Sequence, residues 1–223
     1  MNRDLFIQAV LRFFAGALIV SLLLFLPAGT LRYPQGWLLM GILFVPMFAA
    51  GLVMLKKNPE LLKKRLNVKE EETEQKEVIL LSAVMFLAAF VLAGLSFRFG
   101  WWMLPFPVSI IAAIVFLAAY ALYAEVLREN TYLSRTIEVQ KDQKVIDTGL
   151  YGIVRHPMYM ATVFLFLAMP LVLGSVISFV IMLCYIPIIA KRIRNEEKVL
   201  TEGLQGYEKY KRKVKYRLVP FIW

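Results

Sequence analysis

The chain has 223 residues, 60% of them hydrophobic, and carries a formal net charge of +10. Soluble domains hold roughly 45–50% apolar residues, so this excess, with a mean hydropathy of +0.65, points to a membrane protein rather than a large soluble core. One cysteine, Cys184, and one histidine, His156, exclude a disulfide framework and make a Cys- or His-based metal centre untenable.

In chain order, four apolar blocks come first, at about residues 5–28, 36–55, 78–97 and 103–127. Each is long enough to cross a hydrocarbon core of roughly 30 Å at about 1.5 Å per residue. The start, Met1-Asn2-Arg3-Asp4, resembles a signal n-region. The apolar stretch behind it is long enough to span and has no small-residue cleavage site, so a retained first helix is expected. Trp37, Trp101 and Trp102 mark interfaces. In the loop at 56–77, Asn58-Pro59-Glu60 can open a helix, and Glu70-Glu71-Glu72 with Lys69 and Lys76 read as a solvated helical face.

The fifth block, 158–190, is almost unbroken over 33 residues. As one helix it would be about 50 Å long, too long for a single crossing without steep tilt. Pro170 and the Gly174-Ser175 pair lie near its middle, so the sequence predicts a helical hairpin turning near Leu173-Gly174-Ser175. The second arm should run on as a helix into Lys191–Glu197. The expected architecture is all-α: a polytopic membrane bundle of about six segments, in one domain over 1–223. Four transmembrane helices fill 1–127. A cofactor-binding loop, the hairpin and a basic tail with a cytoplasmic helix fill 128–223.

Charge patterning sets the expected orientation. Lys and Arg number seven in 56–76, five in 128–155 and ten in 191–217, whereas the turns between hold only Arg32, only Arg98, and none at the hairpin tip. The positive-inside rule then places both termini and both long loops in the cytoplasm. The basic balance is read as orientation against anionic lipid, not as nucleic-acid binding. No Gly-x-Gly-x-x-Gly or Walker-type loop is present, so a soluble nucleotide-binding fold is not supported.

The stretch 149–161, Gly-Leu-Tyr-Gly-Ile-Val-Arg-His-Pro-Met-Tyr-Met-Ala, stands where a polar segment meets the longest apolar run. Arg155, His156 and Tyr159 each have a plain structural explanation: a snorkelling anchor, a helix cap and an aromatic-belt residue. Glu196 and Glu197 could likewise pair with Lys191, Arg192 or Arg194 along their own helix. The hairpin brings these groups to one membrane face, and ionisable groups at a membrane edge are costly and mark sites. Tyr207, Tyr210 and the loop 128–149 reach the same face. The set reads as a clamp for a charged cofactor.

Gly149, Tyr151 and the run Arg155-His156-Pro157-Met158-Tyr159, followed after a hydrophobic hairpin by Glu196-Glu197, resemble the signature of the isoprenylcysteine carboxyl methyltransferase family, a relative of the membrane phospholipid methyltransferases. The tail at 206–220 is similar to that family's ending. The resemblance covers about 128–223; the first three helices match by hydropathy alone. It implies an integral membrane methyltransferase that binds S-adenosylmethionine between its last helices. The family's positions fall on Gly149, Tyr151, Arg155, His156, Pro157, Tyr159, Glu196 and Glu197 as cofactor-binding residues, with Arg155, His156 and Tyr159 as the candidate catalytic set and no metal. The implied partners are membrane lipids and a lipid-like or hydrophobic acceptor, at the cell membrane. The family's usual glycine two residues after the tyrosine is Ala161 here. Three alternatives remain open: a phospholipid head-group N-methyltransferase, an NADPH-dependent sterol-type reductase, and a non-enzymatic lipid-binding protein.

Overall fold

The computed structural model describes residues 3–66, 73–130, 132–133, 139–140 and 142–223. Lys69, Glu70, Glu71, Glu72 and Thr131 lie outside the described residues. All named elements are helical: α1 (Arg3–Ala28), α2 (Pro34–Lys57), α3 (Pro59–Leu66), α4 (Thr73–Phe99), α5 (Phe106–Glu129), a 3-10 turn (Gly149–Gly152), α6 (Pro157–Val172), α7 (Val176–Met182), α8 (Tyr185–Gly203) and α9 (Tyr207–Lys213). Among the described residues, five stretches are long and apolar enough to cross a membrane: α1, α2, Lys76–Phe99, α5 and Val176–Gly203. The protein is a polytopic helical membrane bundle. Large apolar side chains such as Leu11, Phe14, Leu18 and Val45 face outward, as a lipid solvent permits.

The hairpin turns where its glycine and proline predict. α6 ends at Val172, Gly174 takes φ +72° and Ser175 starts α7, its hydroxyl accepting from Ser178 N at 3.2 Å. Only glycine adopts that φ without a side-chain penalty. Ser175 N donates to Pro170 O at 2.9 Å, closing the turn. The tip is fastened to the α4–α5 turn: Leu104 N donates to Gly174 O at 2.8 Å, and Ser175 Oγ to Ser96 Oγ at 3.0 Å. Tyr33, fully buried and stacked on Phe97 with ring centroids 4.1 Å apart, donates its hydroxyl to Leu173 O at 2.7 Å. The hairpin tip is therefore pinned from three sides, which fixes where both arms emerge at the other end.

The two arms differ. α6 has 16 residues, about 24 Å of helix and shorter than a roughly 30 Å core, so its first turn lies at or inside the membrane edge. The second arm breaks at Leu183-Cys184 between α7 and α8. Pro187 causes the break: it has no N–H to give to the Leu183 carbonyl, and its ring crowds that carbonyl. Ile186 N takes over as donor to Leu183 O at 3.1 Å. α1 and α4 meet at Gly94, where an added Cβ would come within 2.5 Å of Leu24 O, a small-residue approach typical of packed membrane helices.

At the other end, Asn58 Oδ1 accepts from Leu61 N at 3.1 Å and so caps α3, with Pro59 at its first position. The C-terminal segment folds back onto the bundle. Leu218 is buried with Met85, Tyr185, Ile189 and Ile193. Tyr207, Tyr210, Leu204 and Val214 form a second small core against Val139 and Val145 of the loop before the 3-10 turn.

Candidate functional site

Each wall of the site follows from a local feature. α5 ends at Glu129, whose carboxylate accepts from Leu150 N at 3.1 and 3.3 Å and so fixes the 3-10 turn. Gly149 has φ +52°, and an ideal Cβ there would fall 1.6 Å from Glu129 Oε1. Gly149 thus sits behind the turn, shaping it, rather than on a cavity wall. The turn presents Tyr151, which is buried and accepts at its carbonyl from Tyr210 OH at 2.8 Å.

The next residues hold the C-terminal segment. Arg155 N and His156 N donate to the carbonyls of Tyr216 and Arg217, both at 2.9 Å. Arg155 Nη1 donates to Val214 O at 2.9 Å and Lys215 O at 3.0 Å, and its Nε donates to Glu197 Oε1 at 2.7 Å. His156 Nε2 is 3.2 Å from the same Glu197 oxygen, and Arg217 Nε donates to Oε2 at 2.8 Å. Glu197 is 4% exposed, Arg155 8% and His156 5%. One buried carboxylate therefore gathers two guanidiniums and an imidazole from two separate parts of the chain. Pro157 opens α6 as its first residue and is fully buried.

One turn into α6, the Tyr159 hydroxyl donates to Glu196 and accepts from Arg192 Nε at 3.0 Å. Its ring stacks near His156 at 5.7 Å. Ala161 is fully buried, so the packing around α6 accommodates its methyl group.

Between the loop, α6, α8 and α9 lies a narrow, partly open cavity of about 90 Å³, tighter than the roughly 300–1,000 Å³ usual for small-molecule sites. Tyr151, Arg155, His156, Tyr159 and Glu196 line it; Gly149, Pro157 and Glu197 do not. Glu197 stands behind the wall and holds Arg155 and His156 in place. Sequence reasoning treated Arg192 only as a partner for the glutamates and Arg217 only as part of a tail. Arg192 lines the cavity, and its position four residues before Glu196 was the available signal. Arg217 had none, because its partner lies 20 residues back in the chain. Tyr207 and Tyr210, which line the cavity's far side, were placed on this face by the hairpin argument.

The lining phenols stay protonated. Burial pushes Tyr151, Tyr207 and Tyr210 well above the ordinary phenol range. The Tyr207 hydroxyl is also a buried polar atom with no hydrogen-bond partner among the described residues, and such a group is costly unless something fills the site. Among the described residues no cluster of His, Cys, Asp and Glu could hold a metal ion.

Comparison with known proteins bears on the C-terminal half and on the fold. Residues 109–202 match the model of the isoprenylcysteine carboxyl methyltransferase (ICMT) family. A solved structure of the eukaryotic intramembrane Ras methyltransferase ICMT superposes with a TM-score of 0.58 over 98% of this chain and 85% of that one, at 18% identity. At that identity the likeness is one of fold. The Delta(14)-sterol reductase TM7SF2 of Mus musculus is 25% identical over 91 residues, 40% of this chain; the match spans 22% of the reductase, about a fifth of its length. Residues 109–202, which hold Arg155, His156, Tyr159, Arg192, Glu196 and Glu197, thus resemble the isoprenylcysteine carboxyl methyltransferase family, in a chain whose fold is similar to that of the solved ICMT structure.

Proposed function

We propose that the protein is a membrane methyltransferase that uses S-adenosylmethionine and methylates a lipid-like or hydrophobic acceptor. One observation carries the reading: a cavity lined mostly by the family-matched segment, with a carboxylate, an imidazole, two guanidiniums and phenols, and with the partnerless buried hydroxyl of Tyr207 on its wall. These groups fit the cofactor's chemistry. Glu196 would hold the ammonium or the ribose hydroxyls. Arg155 and His156 would take the carboxylate through charge-assisted bonds; Arg155 Nη2 is its one nitrogen without a partner among the described residues. The faces of Tyr151, Tyr159 and Tyr207 suit a sulfonium cation. When bound, the cofactor supplies a methyl group on a sulfonium, open to in-line displacement.

The remaining work is positioning. Arg192, two residues past the apolar run, lines the cavity beside the Tyr159 hydroxyl, and its charge suits an anionic acceptor group. A carboxylate acceptor is already a nucleophile at neutral pH, so orientation and exclusion of water supply the rate. An amine acceptor needs its proton removed, and Glu196 or His156 is then the base. The acceptor's apolar part would enter sideways from lipid. The charge pattern supports a site and termini on the cytoplasmic side.

Tyr207→Phe tests the fit of the cofactor. Removing a partnerless buried hydroxyl should leave the melting temperature equal or slightly higher, while affinity for S-adenosylmethionine falls about five- to tenfold, the worth of one hydrogen bond. Calorimetry alongside a thermal melt reads both.

The sterol reductase match favours one second reading, an NADPH-dependent reductase. The deciding experiment supplies methyl-labelled S-adenosylmethionine to the protein in nanodiscs with a farnesylated cysteine analogue, phosphatidylethanolamine or a total lipid extract. Base-labile label identifies a methyl ester and base-stable label a methylamine. Absence of labelled product from all three overturns the proposal.

A further inference from the structure

Behind the cavity, on the opposite side of Glu197, lies a second depression. Its walls are Arg194 and Lys198 of α8, Lys211 of α9 and Arg217 of the C-terminal segment, with Thr201, Glu197 and Glu202. It is a shallow, open depression of about 280 Å³. Four cations from three elements meet two carboxylates there, and one of those, Glu197, is already shared among Arg155, His156 and Arg217. Lys211 Nζ has Glu208 at 3.1 Å and Thr201 Oγ1 at 3.3 Å. Arg194 and Lys198, one helical turn apart, have no hydrogen bond or ion pair among the described residues. Like charges at that spacing repel, so the arrangement costs stability unless an anion joins it.

Position narrows the anion. The apolar run ends at Ala190, and Arg194 follows one turn later, about 6 Å along the helix axis. The segment carrying Arg217 returns to the membrane edge: Leu218 packs against Ile189 and Ile193, the Arg217 guanidinium lies 5.3 Å from the Trp223 ring, and Phe221 and Ile222 are 88% and 80% exposed. A basic pocket at head-group level beside bare apolar side chains is where anionic lipid is recognised. We infer that this depression binds the phosphate of an anionic phospholipid, separately from the methyl-donor cavity and with Glu197 as the shared wall.

The test titrates the full chain in neutral detergent with short-chain phosphatidylglycerol, short-chain phosphatidylcholine and inorganic phosphate, followed by thermophoresis. The double variant Arg194→Gln/Lys198→Gln is compared with the wild type. Both residues are exposed and lie off the donor cavity, so its melting temperature and S-adenosylmethionine affinity should match the wild type. Phosphatidylglycerol should bind the wild type well above the other two ligands and bind the double variant roughly thirtyfold more weakly, from about a fivefold loss per cation. Arg194→Lys/Lys198→Arg should restore binding. Equal binding to wild type and double variant overturns the site, and so does phosphatidylcholine binding as tightly as phosphatidylglycerol. Inorganic phosphate matching phosphatidylglycerol overturns the lipid assignment. None of these outcomes depends on methyl transfer, so failure here and failure of the proposed function are separable.

Discussion

Glu197→Ala is expected to give a protein that melts far below the wild type and no longer binds S-adenosylmethionine. The carboxylate is buried and accepts from Arg155 at 2.7 Å and Arg217 at 2.8 Å, with His156 at 3.2 Å. Removing one member of a buried ion pair costs about 3–5 kcal/mol, because the remaining charge is left uncompensated. Here that charge is Arg155, whose guanidinium also holds the Val214 and Lys215 carbonyls. The C-terminal segment should loosen from α6, and with it the wall that carries Tyr207 and Tyr210. Thermal unfolding in detergent, followed by tryptophan fluorescence, checks the stability. Glu197→Gln keeps an acceptor oxygen and should fall between the two. A Glu197→Ala protein that melts within a degree of wild type would show that the network does not hold this end together.

Arg192→Gln is expected to act on turnover instead. Arg192 is half-buried, lines the cavity and donates to Tyr159 OH at 3.0 Å. In the proposed reaction it faces the acceptor, so donor affinity should stay within about threefold of wild type. The loss of kcat/KM should reach about 10²–10³, the range seen when one preorganised electrostatic partner is removed from a reacting group. Initial rates with labelled donor, together with calorimetry for donor binding, separate the two effects. Equal losses of donor affinity and rate would move Arg192 from the acceptor's side of the site to the donor's.

These two residues also show what could be read from the chain. The hairpin was legible because a 33-residue apolar run cannot cross once, and only Gly174 with Ser175 offers a turn. That turn brought Glu196 and Glu197 to Arg155 and His156. The division of labour between the glutamates was hidden, because neighbours on a helix point about 100° apart and nothing local says which one faces a cavity. Glu196 meets Tyr159 on the cavity wall; Glu197 turns to the guanidiniums behind it. Arg155 as the anchor of Val214 and Lys215 was equally hidden, because its partners are backbone carbonyls some 60 residues away. The break at Leu183-Cys184 was encoded in Pro187, whose missing donor acts four residues upstream, and a reading based on hydropathy passes over it. Gly149 was read as a cofactor-binding residue, yet it is not on the cavity wall and its tight neighbour is Glu129, on the far side of the polar loop.

The most direct measurement is calorimetric titration of the purified wild-type protein in detergent with S-adenosylmethionine and, separately, with NADPH. The proposed function predicts saturable one-to-one binding of S-adenosylmethionine, weakened in Tyr207→Phe, and no heat of binding with NADPH. Saturable binding of NADPH with none of S-adenosylmethionine would contradict it.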